Sequence, residues 1–177
     1  MGGKRVRAYW DTCILLALLK REKRENPLDM QGVYHQARMC DEGQVEVITS
    51  VHTLVETHDS TLPDEGRKQL VNLRRHPHFM LAETTVRIAE IAREICDHYR
   101  REDPEGLRVT SSDSIHLATA ILYKCDVFYT FDGCGKKPRR SRPLLPMSGN
   151  VANKYTLRIE KPPTDPSGQF SMEGLAE

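Results

Sequence analysis

Val6-Arg-Ala-Tyr-Trp-Asp11-Thr12-Cys-Ile-Leu-Leu-Ala-Leu-Leu19 is the stretch on which the fold turns. Val6–Trp10 is short and rich in β-formers. Asp11 and Thr12 are natural helix caps, and an apolar run follows them. The pattern predicts a strand that runs straight into a helix. The same alternation recurs downstream. Val45–Ser50 alternates as a strand, and Ser50 is placed to cap a helix over 51–60. Residues 79–81 and 126–131 read as further strands, with a late one over 155–160. Helical spacing covers 28–40, with Gly43 as its stop, and 64–75. A longer helix opens at Thr84 or Thr85, runs to about Arg101, and is broken by Asp103-Pro-Glu-Gly106. Ser111 or Ser112 caps another, reaching about Lys124. Strands alternating with helices predict an α/β fold whose central, mostly parallel sheet is covered on both faces.

Composition narrows the function classes. The 177 residues have a mean hydropathy of −0.55, with 38% hydrophobic and 29% charged residues. That suits one domain, over 1–150, followed by a C-terminal strand and loose tail over 151–177. The apolar run Ile14–Leu19 is far too short to span a membrane. The basic start, Lys4-Arg5, lacks the apolar stretch and cleavage site of a signal peptide, so a cytoplasmic protein is expected. Five scattered cysteines with no CxxC spacing suggest neither a disulfide framework nor a zinc ribbon. The net charge of +1 hides an asymmetry. Residues 1–132 hold 18 Lys/Arg against 21 Asp/Glu, whereas 133–177 hold 8 against 4. Five of the seven residues from 136 to 142 are basic, among them Lys136, Lys137, Arg139 and Arg140. Beside a site that acts on a polyanion, such a run would steer phosphate.

The acidic residues carry the functional signal through their position. In open α/β sheets, sites form at the carboxyl ends of the strands. Asp11 follows the first predicted strand and Asp132 the strand over 126–131. Asp113 falls in the first turn of the helix that Ser111 or Ser112 begins, and Glu56 on the helix after Val45–Ser50. Four carboxylates distant in sequence therefore converge on one edge. Their surroundings are largely apolar, and the charges need a partner. An all-oxygen donor set favours Mg²⁺ or Mn²⁺ over zinc. Such a centre suits phosphodiester hydrolysis by activated water.

These residues bring a family into view. Val6-Arg-Ala-Tyr-Trp-Asp11-Thr12, Ser50-x-x-Thr53-Leu-Val-Glu56, Asp113-Ser-Ile-His116-Leu-Ala-Thr119-Ala120 and Phe128-Tyr-Thr130-Phe-Asp132 resemble the PIN-domain ribonucleases, in order and separation, over about residues 5–135. The resemblance implies a three-layer sandwich around a mostly parallel sheet and Mg²⁺- or Mn²⁺-dependent cleavage of single-stranded or looped RNA. It implies metal ligation by Asp11, Asp113 and Asp132, with Glu56 a ligand directly or through water. Thr12 and Thr130 would be supporting hydroxyls. Many bacterial members are VapC-type toxins held by a small antitoxin, and they often form homodimers. The chain departs from many relatives after Asp132, where Gly133-Cys-Gly-Lys-Lys stands in place of a further acid. That departure bears on a second metal ion and motivates the alternative, a catalytically silent PIN-like module that binds RNA or protein.

Plainer roles compete at each position. Asp11 and Asp113 also suit helix capping, which is compatible with ligation. Asp132 before Gly133 also reads as a turn residue. Glu56 has a stand-in in Asp59, three residues on. His116 shares a helix face with Asp113 and reads chiefly as a packed, hydrogen-bonded histidine. His76-Pro-His78 has no metal-binding partner at a recognisable spacing. A haloacid-dehalogenase-type phosphotransferase needs a second Asp where Cys13 stands.

Overall fold

The computed structural model describes residues 5–133 and 141–167. Strand β1 (Val6–Trp10) leads through Asp11 into α1 (Thr12–Lys20), then α2 (Pro27–Asp41) and β2 (Val45–Ser50). A short α3 (His52–Glu56) and α4 (Asp64–Leu73) precede β3 (Phe79–Ala82). The long α5 (Val86–Glu102) and α6 (Ser111–Leu122) follow, then β4 (Val127–Tyr129) and β5 (Ile159–Glu160). Among the described residues the strands form one sheet in the order β3-β2-β1-β4-β5, with every pairing parallel.

Period-two alternation sends the strand side chains to two cores. Tyr9, Ile48 and Phe128 face α5 and α6, where they meet Ile88, Ile95 and Leu117. Ala8, Trp10, Val47 and Val127 face the other way, onto Ile14, Leu15, Leu18 and Val33 of α1 and α2. The expected sandwich is therefore present, with the sheet buried on both sides. The chain leaves β1 toward β2 on one side and returns as β4 on the other. The crevice where such a sheet takes its ligands thus lies between the carboxyl ends of β1 and β4. Asp11 N–H closes that end by donating to the Tyr129 carbonyl at 3.1 Å.

Local chemistry explains the boundaries. Asp11 caps α1 from an extended backbone, its side chain accepting from Thr12 N–H. Gly43, at φ +68°, ends the α2 turn in the left-handed region. The helix expected over 51–60 is only α3, because Thr57 turns to φ −95°, ψ 91° and the Thr57-His-Asp-Ser-Thr61 run is poor in helix formers. The cap of α6 is Thr110, one residue before the expected serines. Its hydroxyl accepts from Asp113 N–H at 3.0 Å and donates to Asp113 Oδ2 at 2.6 Å. The late strand is only Ile159–Glu160.

The expected loose tail is anchored in its first part. Lys161 Nζ reaches Asp29 at 3.0 Å, and Asp165 pairs with Arg38. A Cβ at Gly32 would fall 2.1 Å from the Pro162 carbonyl oxygen, so glycine is required where the chain crosses α2. Residues 168–177 lie outside the described residues.

Candidate active site

The site is built on the switch point between β1 and β4. Asp11 is 8% exposed, and its two oxygens are turned onto fixed donors. Oδ1 accepts from Thr12 N–H at 2.8 Å, and Oδ2 from Thr130 Oγ1 at 2.6 Å and Cys13 Sγ at 3.2 Å. Thr130 is fully buried and also accepts from Asp132 N–H at 3.0 Å, so one hydroxyl links the ends of both strands. Asp132 holds the returning chain, its Oδ2 accepting from Leu144 N–H at 3.1 Å.

Asp113 meets these two carboxylates electrostatically. Burial raises its carboxyl above the usual range against the opposing bond from Thr110, and the charges of Asp11 and Asp132 raise it further. Three acids from three elements therefore share one local field. Among the described residues, no three His, Cys, Asp or Glu side chains already stand at metal-ligand spacing. Each acid is instead turned to donors of its own.

Glu56 is in a different condition. Thr12 and Ser112, the immediate neighbours of Asp11 and Asp113, both donate to it. His116 Nε2 lies 2.8 Å from its Oε2. Burial would raise the Glu56 carboxyl, but these hydrogen bonds outweigh it and hold the group at about 2. His116, 1% exposed, answers in kind. Burial alone would lower it, yet the Glu56 bond and the charges of Asp11, Glu56 and Asp113 raise it above the usual histidine range. Its Nδ1 lies 2.6 Å from the Tyr9 hydroxyl, which accepts from Ser50 N–H at 3.0 Å. Burial, with the charge of Asp11, pushes Tyr9 well above its ordinary value, so it remains a neutral phenol.

The expected site residues Asp11, Glu56, Asp113, Thr130 and Asp132 thus lie at one edge, together with Thr12. His116 is packed and hydrogen-bonded as expected, but its partner is Glu56, which brings it into the site. Tyr9, Cys13 and Ser112 were missed. Tyr9 and Cys13 carry only core signals in the sequence, and Ser112 reads as a helix cap. Burial, then the charge of Asp11, pushes Cys13 well up, leaving a thiol. Lys136, Lys137, Arg139 and Arg140 lie outside the described residues, as does the side chain of Asp59. His76 stands beside Cys40, 3.8 Å from Nδ1 to Sγ, with Asp41 at 3.6 Å on its other nitrogen.

Comparison with known proteins agrees with this architecture. No curated protein matches the chain. Among solved structures, the fold is similar to a chain of the VapBC2 complex from Rickettsia felis bound to a DNA fragment from its promoter. That match has a TM-score of 0.50 and 10% identity, and covers 71% of this chain and 87% of that one. Identity so low speaks to the fold alone. The sequence profile of the PIN domain matches residues 8–133, a span that holds all four acids, both supporting threonines, the end of β1 and strands β2 to β4. The chain therefore belongs to the PIN domain family.

Proposed function

We propose that this protein is a Mg²⁺- or Mn²⁺-dependent endoribonuclease that cleaves single-stranded or looped RNA. The observation that carries the reading is the gathering of Asp11, Asp113 and Asp132 at one edge of the sheet, where burial first, and then the charges of the other two, raise Asp113. Like charges gathered at a switch point favour a divalent counter-charge, and an all-oxygen donor set suits a hard ion. The chemistry of the donor set fits such an ion, which Asp11, Asp113 and Asp132 would hold. A hard ion bound there would supply Lewis acidity toward water and the scissile phosphate.

The chain's own groups do the rest. Thr130 and Thr12 N–H orient Asp11, Thr110 orients Asp113, and Leu144 N–H orients Asp132. Glu56, at about 2, is too weak a base to take a proton near neutral pH. Three of its roughly four lone-pair positions are already engaged. We therefore assign Glu56 a fixed negative charge that would support a bound ion without taking a proton. Lys136, Lys137, Arg139 and Arg140 are proposed to neutralise RNA phosphates beside Asp132. The antitoxin partner and the homodimer rest on the family resemblance. No helix among the described residues is long and apolar enough to cross a membrane.

The test is cleavage of a mixed RNA pool in Mn²⁺ by wild type and by Asp113→Asn. Cleavage by wild type alone supports the proposal. If both proteins are inert in Mn²⁺ and Mg²⁺ while wild type binds RNA, the silent binding module replaces it. Equal cleavage of a DNA pool would overturn the RNA assignment.

A further inference from the structure

A cavity of about 490 Å³ opens between the C-terminal turn of α5 and the segment over 142–153. Its walls are joined to the proposed metal ligands by short spans of chain. Arg142 N–H donates to the Arg108 carbonyl at 2.8 Å, and two residues on from Arg108 the Thr110 hydroxyl holds Asp113. Two residues on from Arg142, Leu144 N–H holds Asp132. Each link is at most about 7 Å of extended chain.

The lining is unsuited to phosphate and suited to a base. Glu102 and Asp103 give the cavity two carboxylates, with side chains 47% and 50% exposed. Arg142 lies over the Tyr99 ring, 4.7 Å from its centroid, and stands 3.7 Å from each carboxylate. The ring below and the Leu107 carbonyl, which accepts from Arg142 Nε at 3.4 Å, hold the guanidinium. A fixed guanidinium is a stacking platform for an unpaired base. At 3.7 Å the carboxylates are beyond hydrogen-bond length from Arg142 and keep acceptor capacity. Asn150 Nδ2 donates to Asn153 Oδ1 at 2.9 Å, which leaves an amide oxygen and an amide N–H₂ on the same wall.

Guanine is the base that matches. Its Watson–Crick edge sets a ring N–H beside an exocyclic amine, and one carboxylate accepts both. Adenine and cytosine set their amine beside a ring acceptor. Uracil sets its N–H between two carbonyls, which a carboxylate repels. We infer that this cavity binds an unpaired guanine of the RNA strand, stacked on Arg142 with its donor edge on Glu102 or Asp103. The inference rests on the proposal that RNA is the substrate, and it names the base that this site selects.

The test is binding of the full chain, in EDTA, to fluorescent oligouridine carrying one central guanosine, adenosine, cytidine or inosine. The guanosine oligomer should bind about tenfold tighter than the adenosine or cytidine one. Inosine, which lacks the amine, should lose most of that preference. A Glu102→Gln/Asp103→Asn double variant, changed at two exposed side chains, should melt like wild type and lose the preference altogether. Equal affinity for all four, or a preference that survives both inosine and the double variant, overturns the inference. Guanosine monophosphate bound in preference to the oligomer overturns the assignment to a strand. Because no metal is present, the outcomes separate. A guanosine preference in a protein that never cleaves RNA sinks only the nuclease reading, and cleavage without base preference sinks only this one.

Discussion

Glu56 and Asp113 stand at the same edge of the sheet, and their carboxyl groups are driven in opposite directions. Both are partly buried, and burial alone raises both. Glu56 is brought down to about 2 because folding delivers donors from α1 and α6 to it. Asp113 has its bond from Thr110, set against the charges of Asp11 and Asp132. One region of the site is therefore electrostatically complete within the chain, and the other calls for charge from outside. On the proposed function, the first serves stability and the second would bind the ion, and substitutions should separate them.

The largest effect tests the incomplete region. Asp113→Asn should lower Mn²⁺-dependent RNA cleavage more than about 100-fold, beyond the cost of losing a supporting residue at a metal site. The same variant should be more stable near neutral pH. A raised acid favours folding while protonated, and that contribution is lost as pH rises through its folded pKa. Asparagine removes the loss, so Tm should rise by about 2–4 °C. A fall in Tm would mean that Asp113 is satisfied by the fold, and the contrast with Glu56 would fail.

Next comes the complete region. Glu56→Gln should destabilise by roughly 3 kcal/mol near pH ~5.5, because it breaks a buried charged pair. Glu56 is depressed from 4.5 to about 2, so its contribution is present above 4.5 and fades as pH falls toward 2. His116 is raised from 6.5, so its contribution is complete below 6.5 and is lost as pH rises through its folded pKa. The gap between wild type and variant in denaturant melts should therefore be widest between about 4.5 and 6.5. A gap that does not change with pH would dissolve the pair.

Divalent ions should sharpen the contrast further. Mn²⁺ at about 100 times its Kd should stabilise wild type by about 2.7 kcal/mol in a thermal melt. Glu56→Gln should keep most of that gain and Asp11→Asn should lose it. The smallest effect is at the base of the network, where Tyr9→Phe removes the hydroxyl shared by His116 and Ser50. It should cost about 1–2 kcal/mol in denaturant melts.

Much of this was legible in advance. β1 has its expected ends because a short β-prone run abuts the Asp11 cap, and β2 has its expected ends although Val51, not the expected Ser50, is the cap of α3 and makes no side-chain cap bond. Asp11 caps α1 as its position implied. The failures are equally physical. The helix after β2 is half its expected length, since no periodic apolar face sustains it past Glu56. The Tyr9–His116 contact joins residues 107 apart, and Glu56–His116 residues 60 apart. Local periodicity marks such side chains only as core.

The sequence by itself determined which element carries each acid and at which edge they gather, because parallel strands put all their carboxyl ends on one side and the caps mark those ends. Only the tertiary structure decided how the acids differ in charge. A carboxylate's state depends on the donors and charges that packing sets beside it, and Thr12, Ser112 and His116 come to Glu56 from distant parts of the chain.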